Sequence, residues 1–453
     1  MQTIGLDIGT TTLSAIVLDN EDGRVLKVLT RPNKTGIVAP QAWMCMQHPL
    51  QIARQAEEMV AALKAEFSSV TAIGIDGQMH SILYLNAAGV PVSPLFTWQD
   101  GRGDQPYGGE TYASHLSRLT DIPMNTGFGL TTHFWHIVNG KVPPDACVLC
   151  TIFDYVAMRL TGRSVPLMHV SGAASLGLWR CGDAYWNMQT LRLAGIDASF
   201  LPAVTDNCVL VGEDSDGIPV ACAIGDNQAS FIGSIQEMAN TALINMGTGG
   251  QVSMVADVNG PLGDLERRPL GNGASILVGS TLCGGRAFSL LEDFVKSCLT
   301  LTGYPAEGVY TALSEAAERA IQRNDLPQVD TRFCGTRRQP ELRGSITYIG
   351  VHNFQLEAFL GGTLVGMTGE IQALYQQMLT AGAAPAKRFV GAGNAIRKGT
   401  GLRRCFEKAF GRPLQIPVHR EEAAYGAALF AMTAAGHAKS LEDAQRLIRY
   451  ETP

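Results

Sequence analysis

Apolar and polar positions at the start of the chain follow a pattern typical of strands joined by hairpin turns. Apolar runs are separated by short turns rich in Gly, Thr, Asp and Glu, and a stretch with helical periodicity comes next. A further short apolar run ends at Asp76-Gly77. The elements predicted here are strands at residues 3–8, 13–19, 25–30 and 70–75 and a helix at residues 50–67. Because strands and helical stretches then alternate, the predicted fold class is α/β.

An internal repeat indicates how the chain is organised. Residues 7–19 align with residues 245–257, and both segments have a polar residue, an apolar residue, a Gly-Thr turn and an apolar strand that closes on Asp. The second copy begins about half the chain later. We therefore expect two related domains, with the boundary near residues 220–235, and assign residues 1–225 to the first domain and 226–453 to the second.

Composition excludes several classes of protein. The 453 residues are 46% hydrophobic, enough for full-sized cores, so a disordered chain is excluded. The net charge of −6 argues against a dedicated nucleic-acid or anionic-membrane binder. No basic leader or apolar run of about 18 residues occurs, which predicts a cytoplasmic protein. The Cys147-x-x-Cys150 pair lacks zinc partners and is expected to be two buried thiols in a strand.

The glycine-rich turns are candidate phosphate and nucleotide sites. Backbone amides of a tight turn of small residues converge on anions, and Thr hydroxyls add donors. Asp7 precedes the first turn and could hold Mg²⁺ through water. A strand, Gly-x-Gly and helix arrangement around Gly391 and Gly393 is also common at nucleotide sites, although a plain turn explains it too. The two repeated turns contain Gly9, Thr10, Thr11 and Thr12, and Gly247, Thr248 and Gly249.

Two segments carry side chains suited to a polyol. Gln78 and His80 follow a strand and can hydrogen-bond hydroxyl groups, although a lone His is often structural. Trp98, Asp100 and Arg102 combine an aromatic plane with bidentate polar groups; the alternative is a surface loop with an ion pair.

Asp226 is the candidate general base. It follows an apolar strand that ends in Gly225, and it opens a helical stretch. A carboxylate at this place can accept the proton of a hydroxyl that attacks a phosphoryl group. The alternative is a plain helix N-cap.

With these residues in place, the sequence resembles the FGGY carbohydrate kinases, and within that family the sedoheptulokinases. The resemblance extends over the whole chain. Its most specific segments are Gly-Gln-Met-His at 77–80, Thr-Trp-Gln-Asp-Gly-Arg at 97–102, Thr-Gly-Phe-Gly at 126–129 with Phe-Trp at 134–135, and Asp-Tyr-Val at 154–156. The resemblance implies two ribonuclease-H-like domains of the actin, hexokinase and Hsp70 type around a cleft, with sugar bound by the first domain and ATP mainly by the second.

The resemblance also implies roles for individual residues. Asp226 would be the general base and Asp7 would lie near Mg²⁺. The two Gly-Thr turns would hold the ATP phosphates. The adenosine contacts would be Gly391, Gly393 and Asn394, and the sugar contacts His80, Asp100, Arg102 and Asn227.

The expected activity is ATP-dependent phosphorylation of sedoheptulose at its terminal hydroxyl, giving the 7-phosphate. Asp76, Ser81 and the acid-free stretch 43–47 depart from the family's pattern around the sugar. They leave D-xylulose and D-ribulose open as substrates. A non-catalytic sugar- or nucleotide-responsive protein on the same fold is the rival hypothesis. The sequence does not decide between a monomer and a homodimer.

Overall fold

The computed structural model describes residues 1–180, 183, 185–258 and 262–452, and the chain divides into two units. Unit 1 consists of Met1–Gln236, Arg268–Ala274 and Glu421–Arg449. Unit 2 consists of Glu237–Arg267, Ser275–Arg420 and Tyr450–Pro453.

These units differ from the predicted division at residues 225 and 226. Unit 1 continues to Gln236 and takes in two later segments, the second of which contains two helices. A single boundary in the sequence cannot assign these two later segments to unit 1. The assignment of sugar to one domain and ATP to the other stays a prediction.

Strands occur throughout the described residues. In chain order they are β1 Gln2–Ile8, β2 Thr12–Asp19, β3 Val25–Pro32, β4 Gly36–Ile37, β5 Met46–Gln47, β6 Val70–Gly77, β7 Leu83–Leu85, β8 Leu95–Phe96, β9 Pro106–Tyr107, β10 Glu110–Thr111, β11 Val148–Cys150, β12 Leu167–His169, β13 Ala203–Thr205, β14 Leu210–Glu213, β15 Pro219–Ala221, β16 Ile224–Gly225, β17 Thr241–Met246, β18 Gly250–Val255, β19 Leu265–Gly271, β20 Ala274–Thr281, β21 Gln328–Asp330, β22 Ser345–Thr347, β23 Arg388–Ala392 and β24 Leu414–Gln415.

Helices alternate with these strands, as the α/β prediction requires. They are α1 Pro49–Glu66, α2 Tyr112–Thr120, α3 Gly129–Val138, α4 Ile152–Thr161, α5 Val170–Ser175, α6 Met188–Leu193, α7 Asp226–Ser234, α8 Gly284–Thr302, α9 Val309–Ala320, α10 Leu356–Thr380, α11 Asn394–Lys398, α12 Thr400–Phe410, α13 Glu422–Ala434 and α14 Leu441–Gln445. The N-terminal strands and helix predicted from the pattern of apolar residues are confirmed to within one or two residues.

Each unit is built on a sheet with the same central arrangement. In unit 1 the order is β3-β2-β1-β6-β15-β14, where β1 runs antiparallel to β2 and parallel to β6. In the second sheet the order is β19-β20-β18-β17-β23-β24, where β17 runs antiparallel to β18 and parallel to β23. The predicted repeat is therefore confirmed, since both copies form a hairpin beside a parallel strand.

Helix α13 packs closely on the central strands of unit 1. A Cβ atom added to Gly5 of β1 would lie 1.8 Å from the carbonyl oxygen of Ala424. One added to Gly74 of β6 would lie 1.9 Å from the carbonyl oxygen of Ala427. Only glycine permits this approach, so the two glycines fix where α13 covers the sheet.

The prediction for the Cys-x-x-Cys pair is wrong in one half. Cys150 is buried at the end of β11, but Cys147 precedes the strand and is exposed. The strand is also shorter than the apolar run, because Thr151 caps α4 through a capping box with Asp154. Within the described ranges, no helix has both the length and the apolar character needed to span a membrane.

Candidate active site

Three carboxylates meet where neighbouring parallel strands of unit 1 end. Asp7 lies near the end of β1, directly opposite Asp76 of β6 in the strand register. Asp226 follows β16, whose Ile224 is paired with Asp76. Because parallel strands bring their carboxyl ends to one edge, the three side chains form one group, called here the carboxylate cluster.

Burial raises the pKa of every member of this cluster. Burial is the largest cause for Asp7, whose pKa rises to about 7, and the charge of Asp226 adds to it. The pKa of Asp76, a fully buried residue, rises well above its usual range through burial and then the charges of Asp7 and Asp226. Burial also raises the pKa of Asp226 to about 6, although the Asn227 amide and the Arg268 charge oppose the rise.

Two members of the cluster, Asp7 and Asp76, have few hydrogen-bond partners among the described residues. Asp7 and Asp76 are within hydrogen-bonding reach of each other. Otherwise, both oxygens of Asp76 and Oδ1 of Asp7 are buried without a donor from the described chain. Buried carboxylates in this state are costly unless a cation or a proton joins them.

This pair of side chains fits a magnesium ion. Mg²⁺ prefers one or two carboxylates, with water or substrate phosphate oxygens completing its shell. The described residues contain no group of three or more His, Cys, Asp or Glu side chains arranged to hold a metal. Asp7 and Asp76 could therefore hold the ion only together with such further oxygens.

Asp76 was not among the residues singled out for the metal. The signal was present, since a second apolar strand ends in Asp-Gly. What the sequence lacks is the register that sets β6 beside β1.

Asp226 is the first residue of α7, and Gly225 occupies the N-cap position. The alternative of Asp226 as a plain N-cap is therefore wrong. The neighbouring Asn227 donates its backbone amide to the Asp226 carboxylate. This bond and the start of the helix favour the ionised carboxylate, whereas burial opposes it.

The first Gly-Thr turn is joined to the predicted sugar residues by a hydrogen-bond network. Trp98 Nε1 donates to Thr10 Oγ1 at 2.9 Å, and Thr10 Oγ1 donates to Gln78 Oε1 at 3.1 Å. Gln78 Nε2 donates to Gln47 Oε1 at 2.9 Å, and Gln47 Nε2 donates to the Thr10 carbonyl at 2.8 Å. Trp98 keeps 47% of its surface exposed, so its ring is accessible to a sugar face. Gln47 was not predicted, because it lies in a stretch that lacks the family's acids.

The remainder of that turn also lies in unit 1. The Asn33 side chain donates to the Gly9 carbonyl at 2.9 Å, and its backbone amide donates to the Thr11 carbonyl at 2.8 Å. Thr12 is already the first residue of β2. The turn is therefore held in place by hydrogen bonds that Asn33 donates to its carbonyl groups.

His80 has an unusual backbone conformation, with a φ of 71°. Its Nδ1 lies 2.6 Å from the Ser175 carbonyl, so the ring carries a proton on Nδ1 and donates it there. The imidazole stacks on Phe128 at 4.7 Å with an interplanar angle of 3°. A non-glycine residue at positive φ is costly, and such residues cluster at functional sites.

Asp100 and Arg102 lie deeper than either sequence alternative implied. Asp100 is completely buried, and only 4% of the surface of Arg102 is exposed. The two side chains form an ion pair. The Arg102 guanidinium also lies 4.5 Å from the Phe96 ring, 5.3 Å from Trp135 and 5.7 Å from Trp43. The alternative of a surface loop with an ion pair is wrong about the surface and right about the ion pair. The pair supports the loop that carries Trp98, and its contact with sugar stays a prediction.

Unit 2 contains a pocket of about 800 Å³, a volume typical of small-ligand sites. Gly247 and Thr248 of the second Gly-Thr turn line it, together with Asn394. Aromatic and apolar side chains form much of the remaining lining: Phe288, Tyr310, Leu364, Met367 and Leu402.

Other predicted nucleotide residues lie behind the lining. Gly391 packs against Leu414, where an added Cβ would lie 2.6 Å from a side-chain carbon. Gly393, at a φ of 85°, would meet the Met246 carbonyl oxygen at 2.5 Å. Gly249 is likewise absent from the lining residues. These glycines leave room for close packing of the segments behind the pocket.

The beginning of α8 completes the second turn. The amide of Gly285 donates to the Gly247 carbonyl at 2.9 Å, and that of Arg286 donates to the Thr248 carbonyl at 3.1 Å. A helix N-terminus beside an exposed Gly-Thr turn favours an anion. Gly284-Gly285, shortly after the apolar strand β20, is the sequence signal for this feature, which was not predicted from the sequence.

Comparisons of the sequence with known proteins point to one family. Residues 2–233 match the model of the N-terminal domain of the FGGY family of carbohydrate kinases. The chain is 27% identical to a sedoheptulokinase of Homo sapiens, in an alignment that covers 94% of this chain and 96% of that protein.

Two solved structures show the same fold. A xylulose kinase from Rhodospirillum rubrum matches with a TM-score of 0.85 and 20% identity, covering 100% of this chain and 93% of that one. A glycerol kinase with ADP from Plasmodium falciparum matches with a TM-score of 0.84 and 18% identity, also covering 100% and 93%. The predicted mixed α/β fold of the actin and hexokinase type is thereby confirmed.

Proposed function

We propose that this chain, which belongs to the FGGY family of carbohydrate kinases, phosphorylates a ketose at its terminal hydroxyl with ATP. The observation that carries the proposal is Asp226, a carboxylate of raised pKa beside Asp7 and Asp76. We further propose sedoheptulose as the substrate and its 7-phosphate as the product. Support comes from the 27% identity to human sedoheptulokinase over nearly the full length of both chains.

Asp226 would act as the general base. With a pKa of about 6, it is ionised at neutral pH and still basic enough to accept a proton efficiently. It would take the proton of the terminal hydroxyl as the hydroxyl oxygen attacks the γ-phosphorus of ATP. General-base help of this kind is worth about 10²–10⁴-fold in rate.

Asp7 and Asp76 would hold the Mg²⁺ that accompanies ATP. Bound Mg²⁺ would neutralise charge on the phosphate oxygens. The two carboxyl groups have the buried, donor-free oxygens that such an ion needs. In the absence of a cation they share a proton, as their raised pKa values imply.

The unit 2 pocket would bind the nucleotide. Its apolar and aromatic lining suits a base, with Asn394 as a polar partner. Gly247 and Thr248, with the beginning of α8, would receive phosphate oxygens. The predicted phosphate contacts of the first turn, Gly9 to Thr12, stay predictions.

The sugar would bind beside the Trp98 ring, within reach of the polar groups around it. Gln78 and His80 come just after β6, the strand that contains Asp76. Asn227 comes directly after Asp226 in α7. Each is therefore anchored one to four residues from a member of the carboxylate cluster, which suits contacts to hydroxyls near the reacting one.

A sugar panel with an ADP-release assay tests the proposal. The panel consists of sedoheptulose, D-xylulose, D-ribulose, L-ribulose, D-fructose and glycerol, with Mg²⁺ and ATP present. Sedoheptulose is expected to give the highest kcat/KM, and Asp226→Asn to abolish the sugar-dependent signal. A preference for a pentulose would overturn the substrate but retain the kinase. ATP binding without sugar-dependent ADP release would favour the non-catalytic rival.

A further inference from the structure

Two thiols meet at the beginning of α8. Cys283 is the residue directly before that helix and is buried, with 1% of its surface exposed. Its backbone amide donates to Thr281 Oγ1 at 3.2 Å. Its thiol lies near enough to the thiol of Cys334 for the two to interact electrostatically, although the residues are about fifty positions apart in sequence.

Cys334 lies on a loop between β21 and β22 and is half-buried. Its side chain packs against the same apolar core of unit 2 that contains Cys283. The loop is anchored just before it, because Thr331 Oγ1 donates to Glu370 Oε2 at 3.0 Å and Arg332 pairs with Asp330 at 2.7 Å. Cys334 is therefore the more accessible of two neighbouring thiols.

The segment after Cys283 belongs to the wall of the unit 2 pocket. Gly285 and Arg286 line the pocket and hydrogen-bond to Gly247 and Thr248. A Cβ atom added to Gly284 would lie 2.3 Å from the carbonyl carbon of Gly249, so no free space separates the two segments. A displacement of Cys283 must therefore be transmitted to the second Gly-Thr turn.

We propose that Cys283 and Cys334 form a reversible disulfide that weakens nucleotide binding in the unit 2 pocket. The nucleotide part rests on the proposed function, whereas the disulfide itself does not. A covalent bond holds two sulfur atoms closer than a non-bonded contact does, so the bond must pull Cys283 or the Cys334 loop. That movement disturbs the two hydrogen bonds that join the beginning of α8 to the second Gly-Thr turn.

The bond would form by exchange with a low-molecular-weight disulfide. The Cys334 thiolate attacks one sulfur of the external disulfide and expels the first small thiolate. The Cys283 thiolate then attacks the Cys334 sulfur of this mixed disulfide and expels the second. The protons of the two protein thiols pass to the two small thiolates. Both cysteines are oxidised and the external disulfide is reduced to two thiols.

The closing step should be slow near neutral pH. The pKa of Cys283 is raised to about 11; burial is the largest cause, the Cys334 thiol and the Glu370 carboxylate add to the rise, and Arg286 opposes it. Exchange requires the thiolate, so formation of the bond should accelerate as pH rises towards 9.

The test begins with the full reduced chain and glutathione disulfide at pH 8.5. Peptide mass mapping is expected to find a Cys283–Cys334 disulfide. Binding of a fluorescent ATP analogue is expected to weaken about tenfold, which corresponds to the loss of one hydrogen bond, and to recover with dithiothreitol. Cys283→Ser and Cys334→Ser should be insensitive to the oxidant. Cys298→Ser removes an exposed thiol from the same helix and should respond as the unmodified chain does.

Two results would overturn the inference. One is glutathione attached to the exposed Cys147 with no Cys283–Cys334 bond after the same treatment. The other is a complete disulfide with unchanged nucleotide affinity. If the reduced chain binds no nucleotide, the proposed function fails by itself, and amide hydrogen exchange over residues 283–289 then decides. Faster exchange in the oxidised form supports the disulfide's action on α8, and unchanged exchange refutes it.

Discussion

Replacement of Asp226 by Asn should remove activity and change how stability depends on pH. Burial raises the pKa of Asp226 from 3.8 to about 6, a rise of about two units. At 1.36 kcal/mol per unit, the ionised carboxylate weakens the folded state by about 3 kcal/mol. Asn has nearly the same shape and cannot ionise. The attraction between the carboxylate and the start of α7, at most about 1 kcal/mol, is the smaller effect.

The direction of the pH dependence follows from the raised pKa. Between about pH 3.8 and pH 6 the folded chain keeps a proton on Asp226 that the unfolded chain has lost. The stability that this proton supplies is complete below pH 3.8 and is lost as pH rises through 6. The stability of Asp226→Asn relative to the wild type should therefore increase by up to about 3 kcal/mol from pH 4 to pH 8.

Urea unfolding monitored by tryptophan fluorescence measures this difference in the relevant unit. All 5 tryptophans precede residue 237 and so belong to unit 1, which contains Asp226. The same preparations give kcat, which should fall about 10²–10⁴-fold in Asp226→Asn. Asp293→Asn, which removes an exposed carboxylate from α8, is the matched control and should leave both quantities unchanged.

Either of two results would refute the reasoning. A stability difference that is equal at pH 4 and pH 8 would mean that burial does not raise the pKa of Asp226. Turnover within about threefold of the wild type would exclude Asp226 as the general base.

Three further substitutions probe the features around this residue. Asp76→Ser should weaken Mn²⁺ binding, measured by electron paramagnetic resonance without ATP, at least about tenfold; equal affinity would exclude Asp76 as a ligand. Arg102→Ala leaves Asp100 buried without its partner and should cost about 3–5 kcal/mol in urea unfolding, with partial recovery on adding Asp100→Asn. Gly426→Ala would set a Cβ atom 1.8 Å from the carbonyl oxygen of Ala229, so a loss of at least about 1–3 kcal/mol is expected, and an unchanged unfolding midpoint would contradict the close packing of α13 on α7.

Local features of the sequence predicted the hairpins, the repeat and the strand-end acids Asp7 and Asp226. These features depend on nearest neighbours along the chain: apolar alternation, turn residues and a carboxylate after a strand. They also predicted helical structure after the Gly-x-Gly turn, where α11 and α12 follow. Such local features do not predict which side chains, far apart in sequence, lie next to each other in the folded protein.

The roles of Asp76 and Arg102 were missed for one physical reason. Asp76 joins the carboxylate cluster only because β6 pairs in register with β1. Arg102 is buried because three aromatic rings from separate elements surround it. Neither strand register nor the packing of distant elements is encoded in a local pattern, and both decide which polar groups remain without a partner.

The position of α13 has a consequence for how the chain is made. Gly5 and Gly74 contact a helix that ends at Ala434, so this face of the sheet stays uncovered until α13, far downstream of β1 and β6, has been synthesised. During synthesis the apolar face of β1 and β6 is exposed until α13 covers it, and an exposed apolar face favours premature association. Unit 1 thus begins before unit 2 and is completed only after most of unit 2 has been synthesised, and a nascent chain released before α13 would lack the helix that covers this face of the sheet.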